Sequence, residues 1–169
     1  LIKYNFPIHK RKHVQTVAKI AVSLGKKLIE KKIKLNLDLI YAGAMLHDID
    51  KGIKGAGENH PLKGVEILTG EGYREVAKIC KTHTINSFLK PQTYPTTWEE
   101  KCVALADKMV KEDMIGVEKR FVKWREECRE KLEESRKEKN IKKIRNWTKQ
   151  TEVVEKSYFP VKKLEREIF

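Results

Sequence analysis

Residues Ala42 to Gly52 read Ala-Gly-Ala-Met-Leu-His-Asp-Ile-Asp-Lys-Gly, an apolar run that ends in an imidazole followed directly by a carboxylate before the chain breaks at glycine. Neighbouring residues on a helix point roughly 100° apart, so a His-Asp pair in mid-helix would diverge. In a last helical turn the backbone can splay, and His47 and Asp48 can then reach one point. A carboxylate buried beside an imidazole is costly unless a cation satisfies it, and a metal ion does so. A capping His-Asp pair on an ordinary helix end is the other reading that the doublet alone allows.

The remaining histidines extend the pattern. The chain has five, His9, His13, His47, His60 and His83. Around them stand Arg11-Lys12-His13-Val14, Glu58-Asn59-His60-Pro61 and Cys80-Lys81-Thr82-His83-Thr84, followed later by Ala104-Leu105-Ala106-Asp107-Lys108. This ordered series resembles the HD-domain superfamily of metal-dependent phosphohydrolases: a first His on a helix, the His-Asp doublet, two further His and a late Asp. The resemblance covers residues 13 to 107, and Asp50 stands where the better-known form of the doublet carries glycine. It implies a metal set of His13, His47, Asp48, His60, His83 and Asp107, with Asp48 bridging two ions. His13, His47, Asp48 and Asp107 alone would form a mononuclear set. Nitrogen and oxygen donors of this kind suit Fe, Mn, Co or Ni, with Mg or Zn also compatible.

The same resemblance implies hydrolysis at phosphorus by an activated water, with Asp48 and Lys51 as the catalytic pair. Lys51 lies where related proteins carry a lysine that contacts substrate phosphate, and Arg120 where some carry an arginine. Arg11 and Lys108 adjoin ligand positions and are further candidates for the substrate anion. In part the series is also similar to a diiron subfamily that cleaves diadenosine tetraphosphate symmetrically.

The residues themselves predict an all-α fold, a helical bundle with a charged helical extension. Val14, Val17, Ala18, Ala21, Leu24, Leu28 and Ile29 recur at three and four, which predicts a helix from about Ile8 to Lys32 with His13 at the edge of its apolar stripe. Asn36 or Asp38 can cap a second helix running into the doublet. Lys51 to Gly57 reads as a glycine-rich loop, mobile over the site, without the spacing of a P-loop. His60-Pro61 precedes a third helical stretch, and Tyr73 to Thr84 a fourth with Val76, Ile79, Cys80 and His83 on one face. Thr96 or Thr97 can cap a fifth, in which Asp107 belongs to the inward set.

Past Met114 a narrow seam of Phe121, Trp124, Cys128 and Leu132 runs through charged residues. The expected organisation is a core over residues 1–116 and a helical extension over 117–169 packed on it, with Pro160 interrupting before a short tail. Net charge is +13, distributed as +9 over residues 1–36, −2 over 37–116 and +6 over 117–169. An acidic centre flanked by basic segments draws a phosphorylated small anion toward the ligands. Nucleic acid is a second possible partner, with Trp124 and Trp147 as stacking residues, although their seam spacing favours core packing.

No run approaches the ~20 apolar residues of a membrane span. The three cysteines are spread without metal or disulfide spacing and read as reduced packing residues of a cytoplasmic protein, Cys80 standing three before His83. The pattern leaves the oligomeric state open. The primary expectation is hydrolysis of a phosphate ester or anhydride of a nucleotide or small phosphorylated metabolite. A nucleotide-sensing regulator, or an RNA-binding or processing module on the same core, is the alternative.

Overall fold

The computed structural model describes residues 2–4, 6–55 and 59–169. Among these are seven α-helices joined by short 3-10 turns, and the only β pairing is an isolated bridge between Val110 and Met114. The expected all-α bundle is thus observed. Part of the predicted glycine-rich loop, Ala56 to Gly57, lies outside the described residues.

Helix α1 (Ile8–Glu30) buries Val14, Val17, Ala18, Ala21, Leu24 and Leu28 along one stripe. Two residues later Lys32 adopts φ 66°, which turns the chain back. Helix α2 (Leu37–Leu46) starts at Asn36, whose side chain accepts the Leu39 N–H at 3.0 Å and removes one unpaired donor of the first turn. Helix α2 sits unusually close to its neighbours. A Cβ on Gly25 of α1 would lie 2.8 Å from Ile40 Cδ1, and one on Gly43 would lie 2.6 Å from Ile79 Cδ1.

Helices α3 (Leu62–Gly70) and α4 (Arg74–Thr82) close a small cluster of Ile49, Leu68, Val76, Ala77 and Cys80 under the doublet. Helix α5 (Trp98–Met109) opens with a capping box. Thr97 accepts the Glu100 N–H, and the Glu100 carboxylate returns to the Thr97 N–H. Burial on every side of α5 from Cys102 to Met109 makes it the centre of the bundle.

Helices α6 (Gly116–Lys137) and α7 (Ile141–Ile168) form an antiparallel pair that shares this core. Phe121, Cys128, Val154, Val161, Leu164 and Ile168 belong to one buried cluster with side chains of α1, α2 and α5. Apolar packing is therefore continuous across residue 116.

Pro160 does not interrupt the chain, contrary to the sequence expectation. Helix α7 runs through it to Ile168, and what reads as a tail is its last two turns. An internal proline costs ~3 kcal/mol through its missing N–H and its ring. Burying Val161, Leu164 and Ile168 offsets this at ~1.5–3 kcal/mol each. The helix end is also tied to α1, where Lys31 Nζ donates to the Ile168 and Phe169 carbonyls at 3.0 and 3.1 Å.

Candidate metal centre

Five parts of the chain deliver the six ligand candidates to one place. His13 comes from the second turn of α1, His47 and Asp48 from the end of α2, and His60 from the approach to α3. His83 caps the C-terminus of α4, and Asp107 lies in the last turn of α5. Helix ends suit this task because a chain leaving the helix can aim adjacent side chains together. Asp48 has already left helical geometry, with φ −107° and ψ 19°. His47 Nε2 and Asp48 Oδ2 lie 3.8 Å apart as a result.

Each of the four candidate imidazoles is fixed from behind. Nδ1 meets the Lys111 carbonyl at 2.7 Å in His13, the Ala44 carbonyl at 2.7 Å in His47, and the Cys80 carbonyl at 2.6 Å in His83. His60 Nδ1 meets Asp50 Oδ1 at 2.9 Å. A carbonyl or carboxylate oxygen only accepts, so each Nδ1 carries the proton and each Nε2 turns a lone pair inward. This is the outward anchoring that metal-binding histidines use.

The inward atoms form two halves. In one, His13 Nε2 lies 3.1 Å and His47 Nε2 3.7 Å from Asp107 Oδ1, with Asp48 Oδ2 beside His47. In the other, His60 Nε2 lies 3.4 Å and His83 Nε2 3.6 Å from Asp48 Oδ1. Asp48 presents one oxygen to each half. Two triplets, His13–His47–Asp107 and His47–Asp48–His83, have ligand atoms close enough to surround an ion.

The electrostatics fit a cation. Burial holds His83 down to about 4 and lowers His47, which favours neutral imidazoles at physiological pH. Burial also acts to lower His13, but Asp107, the Lys111 carbonyl and Asp48 together outweigh it and raise the value. Both aspartates stay below the usual carboxylate range despite burial, Asp48 through His47, His83 and Lys51, and Asp107 through Lys108 and His13. His47 Nε2, wholly buried, has no hydrogen-bond partner. Lone pairs gathered against two ionised carboxylates repel one another unless a positive ion sits among them. The donor set therefore fits a divalent transition ion.

Asp50, which reads in the sequence only as a departure from the usual doublet, is fully buried. Its two oxygens accept from His60 Nδ1 and from the Gly64 N–H, at 2.9 and 3.2 Å. Asp50 thus orients a ligand candidate. Gly64 also lets α3 lie close against α4, since a Cβ there would meet Cys80 Sγ at 2.9 Å. Cys80 is no ligand candidate. Burial raises its thiol pKa, and Sγ donates to the His47 carbonyl at 3.2 Å, which supports the doublet's backbone.

A cleft of about 730 Å³ opens over these ligands. Lys51 lines it, with Nζ 4.0 Å from Asp48 Oδ1. Lys108, only 2% exposed, donates to Asp107 Oδ2. Arg120 projects from α6 into the same cleft, stacked 4.1 Å from the centre of the Trp124 ring. Arg11 is not among the lining side chains, so its adjacency to His13 in sequence does not carry into the cleft; helix geometry turns neighbours to different faces. His9 stands at the exposed rim.

The HD domain family matches residues 11–112, well over half of the chain. The chain belongs to the HD-domain family. Among curated proteins, it is 33% identical over 120 residues to a tRNA (cytidine(56)-2'-O)-methyltransferase of Thermoplasma volcanium, covering 64% of this chain and 34% of that protein. An uncharacterized protein of Methanocaldococcus jannaschii is 32% identical over 109 residues, covering 58% of this chain and 64% of the relative. A methyltransferase of the same name from Picrophilus torridus is 31% identical over 115 residues, covering 62% and 32%. The HD chain thus spans about a third of the two methyltransferases and less than two thirds of the third relative. No solved structure matches it. No described helix is long and apolar enough to cross a membrane.

Proposed function

We propose that this HD-domain protein is a metal-dependent phosphohydrolase acting on a phosphate ester or anhydride of a nucleotide or small phosphorylated metabolite. The observation that carries this reading is the inward turn of four Nδ1-anchored imidazoles onto Asp48 and Asp107 beneath a cation-lined cleft. His13, His47, Asp48, His60, His83 and Asp107 would hold one or two divalent ions. A bound ion of this class acidifies water and neutralises phosphoryl oxygens.

The chain's own groups then have separate tasks. Lys51 and Arg120 receive the substrate's anionic oxygens at the cleft wall. Lys108 occupies one oxygen of Asp107 and leaves the other facing His13 and His47. Asp50 holds the His60 ring in the orientation that points Nε2 at Asp48.

Metal analysis of the protein as purified, followed by phosphomonoester and phosphodiester substrates with Mn, Fe, Co, Ni and Mg, tests the reading. Turnover that depends on a transition ion and is lost with chelator is expected. A protein that binds no such ion, or that binds it and hydrolyses no phosphate ester or anhydride, refutes it. A second reading, an RNA-directed module, has support in the tRNA-modifying name of two relatives. Strongly salt-dependent binding to random RNA, without turnover of small phosphates, would favour that reading instead.

A further inference from the structure

Helices α6 and α7 flank a second, open cavity of about 340 Å³, lined by Trp124, Glu127, Cys128, Asn146, Trp147 and Gln150. Trp124, Glu127 and Gln150 also line the metal cleft, so the two spaces meet along these side chains. Two of the chain's three tryptophans are gathered here, while the third, Trp98, begins α5 with Lys101 4.4 Å over its ring.

The cavity has a restricted chemistry. Trp124 is held rigid, with the Phe121 ring packed edge-on at 5.1 Å and the Arg120 guanidinium over its face. Trp147 supplies a second indole from α7. Asn146 and Gln150 are four residues apart and so share one helical face, each offering amide donors and an acceptor. A purely apolar ligand would leave those amides unmatched, and a sugar or phosphate alone would leave the indoles without a flat partner. A nucleobase satisfies both, since its face stacks and its edge carries donors and acceptors.

The route from this cavity to the metal ligands passes Arg120. Among the described residues Arg120 forms no ion pair, and its buried Nε has no hydrogen-bond partner. A guanidinium so placed is suited to a phosphate oxygen. The cleft wall therefore presents, in order, metal ligands with Lys51, then Arg120, then the two indoles with their amides. The metal ligands, Lys51 and Arg120 match a phosphate, and the indoles with their amides match a base, the sugar spanning the gap between them.

We propose that the α6–α7 cavity is a nucleobase subsite and that the ligand of the metal cleft is a nucleoside phosphate, its base against Trp124 and Trp147 and its phosphate at the HD ligands. Only the hydrolytic fate of that phosphate rests on the phosphohydrolase reading above; the base subsite stands on its own contacts.

The test uses full-length, metal-loaded protein carrying Trp98→Phe, so that Trp124 and Trp147 alone report in fluorescence. Titration with AMP, GMP, CMP and UMP is compared with ribose 5-phosphate and inorganic phosphate, and kcat/KM is measured for each ester. At least one nucleotide should quench the emission and bind tenfold or more tighter than ribose 5-phosphate. In the otherwise unmutated protein, Trp147→Ala should reduce that preference about tenfold. Gln150→Leu, which preserves bulk, should change which base is preferred. Equal binding of nucleotides and ribose 5-phosphate overturns the proposal, as does a preference unchanged in both variants. Base-selective binding without turnover of any ester keeps the subsite and removes the phosphohydrolase reading. Turnover of ribose 5-phosphate with no nucleotide preference does the reverse.

Discussion

Replacing Gly43 by alanine should loosen the metal site from a distance. The added carbon would sit 2.6 Å from Ile79 Cδ1, 2.8 Å from Cγ2 and 3.2 Å from Cβ, against a favourable carbon–carbon separation of ~3.5–4.0 Å. Cδ1 can swing aside, but Cγ2 is held by the one χ1 rotamer that a helix strongly favours for isoleucine, and Cβ by the α4 backbone. Restoring that contact parts α2 from α4 by roughly 0.3 Å or more. His47 lies four residues beyond Gly43 and His83 four beyond Ile79, so the strain enters both helices one turn before the ligands they deliver. Overpacking costs ~1–3 kcal/mol, and the better helix propensity of alanine returns ~1 kcal/mol. The net loss of up to ~2 kcal/mol lowers the melting temperature by up to ~8 °C in a chain of this length.

Thermal melts and elemental analysis after dialysis measure both effects, and metal content should fall together with stability. Ile79→Ala added to Gly43→Ala removes the two nearest atoms. The pair should be more stable than the sum of the single changes predicts, by more than ~1 kcal/mol. A Gly43→Ala protein that melts no lower than the parent and holds its full metal refutes the reasoning, as does strict additivity in the double variant.

Four further outcomes are expected. Asp48→Ala should lose metal and hydrolysis together, because its two oxygens face both halves of the site; full metal with full activity would end the metal reading of the doublet. Asp50→Asn, which leaves His60 without its carboxylate anchor, should weaken metal retention on the His60 side by roughly 10–100-fold while the His13 side still loads; titration with a metallochromic indicator distinguishes this from no effect. Lys51→Ala should lower kcat/KM more than tenfold at unchanged metal content, and unaltered kinetics would return this side chain to solvent. Fully loaded protein should carry close to two metal equivalents by elemental analysis, falling toward one in His60→Ala and in His83→Ala; a single equivalent in the unmutated protein contradicts the two-half arrangement.

Much of the centre was legible in the residues. The His-Asp doublet at the end of an apolar helix, the spaced histidines and the late aspartate pointed to one place, and the six side chains do converge. Helix starts at Asn36 and Thr97 were equally legible, since capping is a local interaction between residues three apart. What escaped depends on partners distant in the chain. The role of Asp50 needs His60 and Gly64, brought to it by the fold, so its sequence neighbours could not announce it. Arg120 was marked by the resemblance alone, since it sits in a charged stretch and the fold is what turns it toward the cleft. Pro160 was misread because its local cost is visible in the sequence, whereas the burial of Val161, Leu164 and Ile168 that offsets it is not. The seam around Phe121 read as narrow because its complement, including Tyr158, arrives almost forty residues later.

The convergence of ligands from five elements also makes the centre a removable cross-link. His13 and Asp107 are 94 positions apart in the chain, and their facing atoms lie 3.1 Å apart. An ion held by both would close a loop of that length, as a disulfide does. In the chain-entropy view a covalent tie across ~100 residues is worth roughly 4.7 kcal/mol. A coordinate tie can be undone by a chelator or by scarcity, so the folded fraction of this chain would follow its metal supply. Newly made chain without its ion would then be the form most exposed to proteolysis.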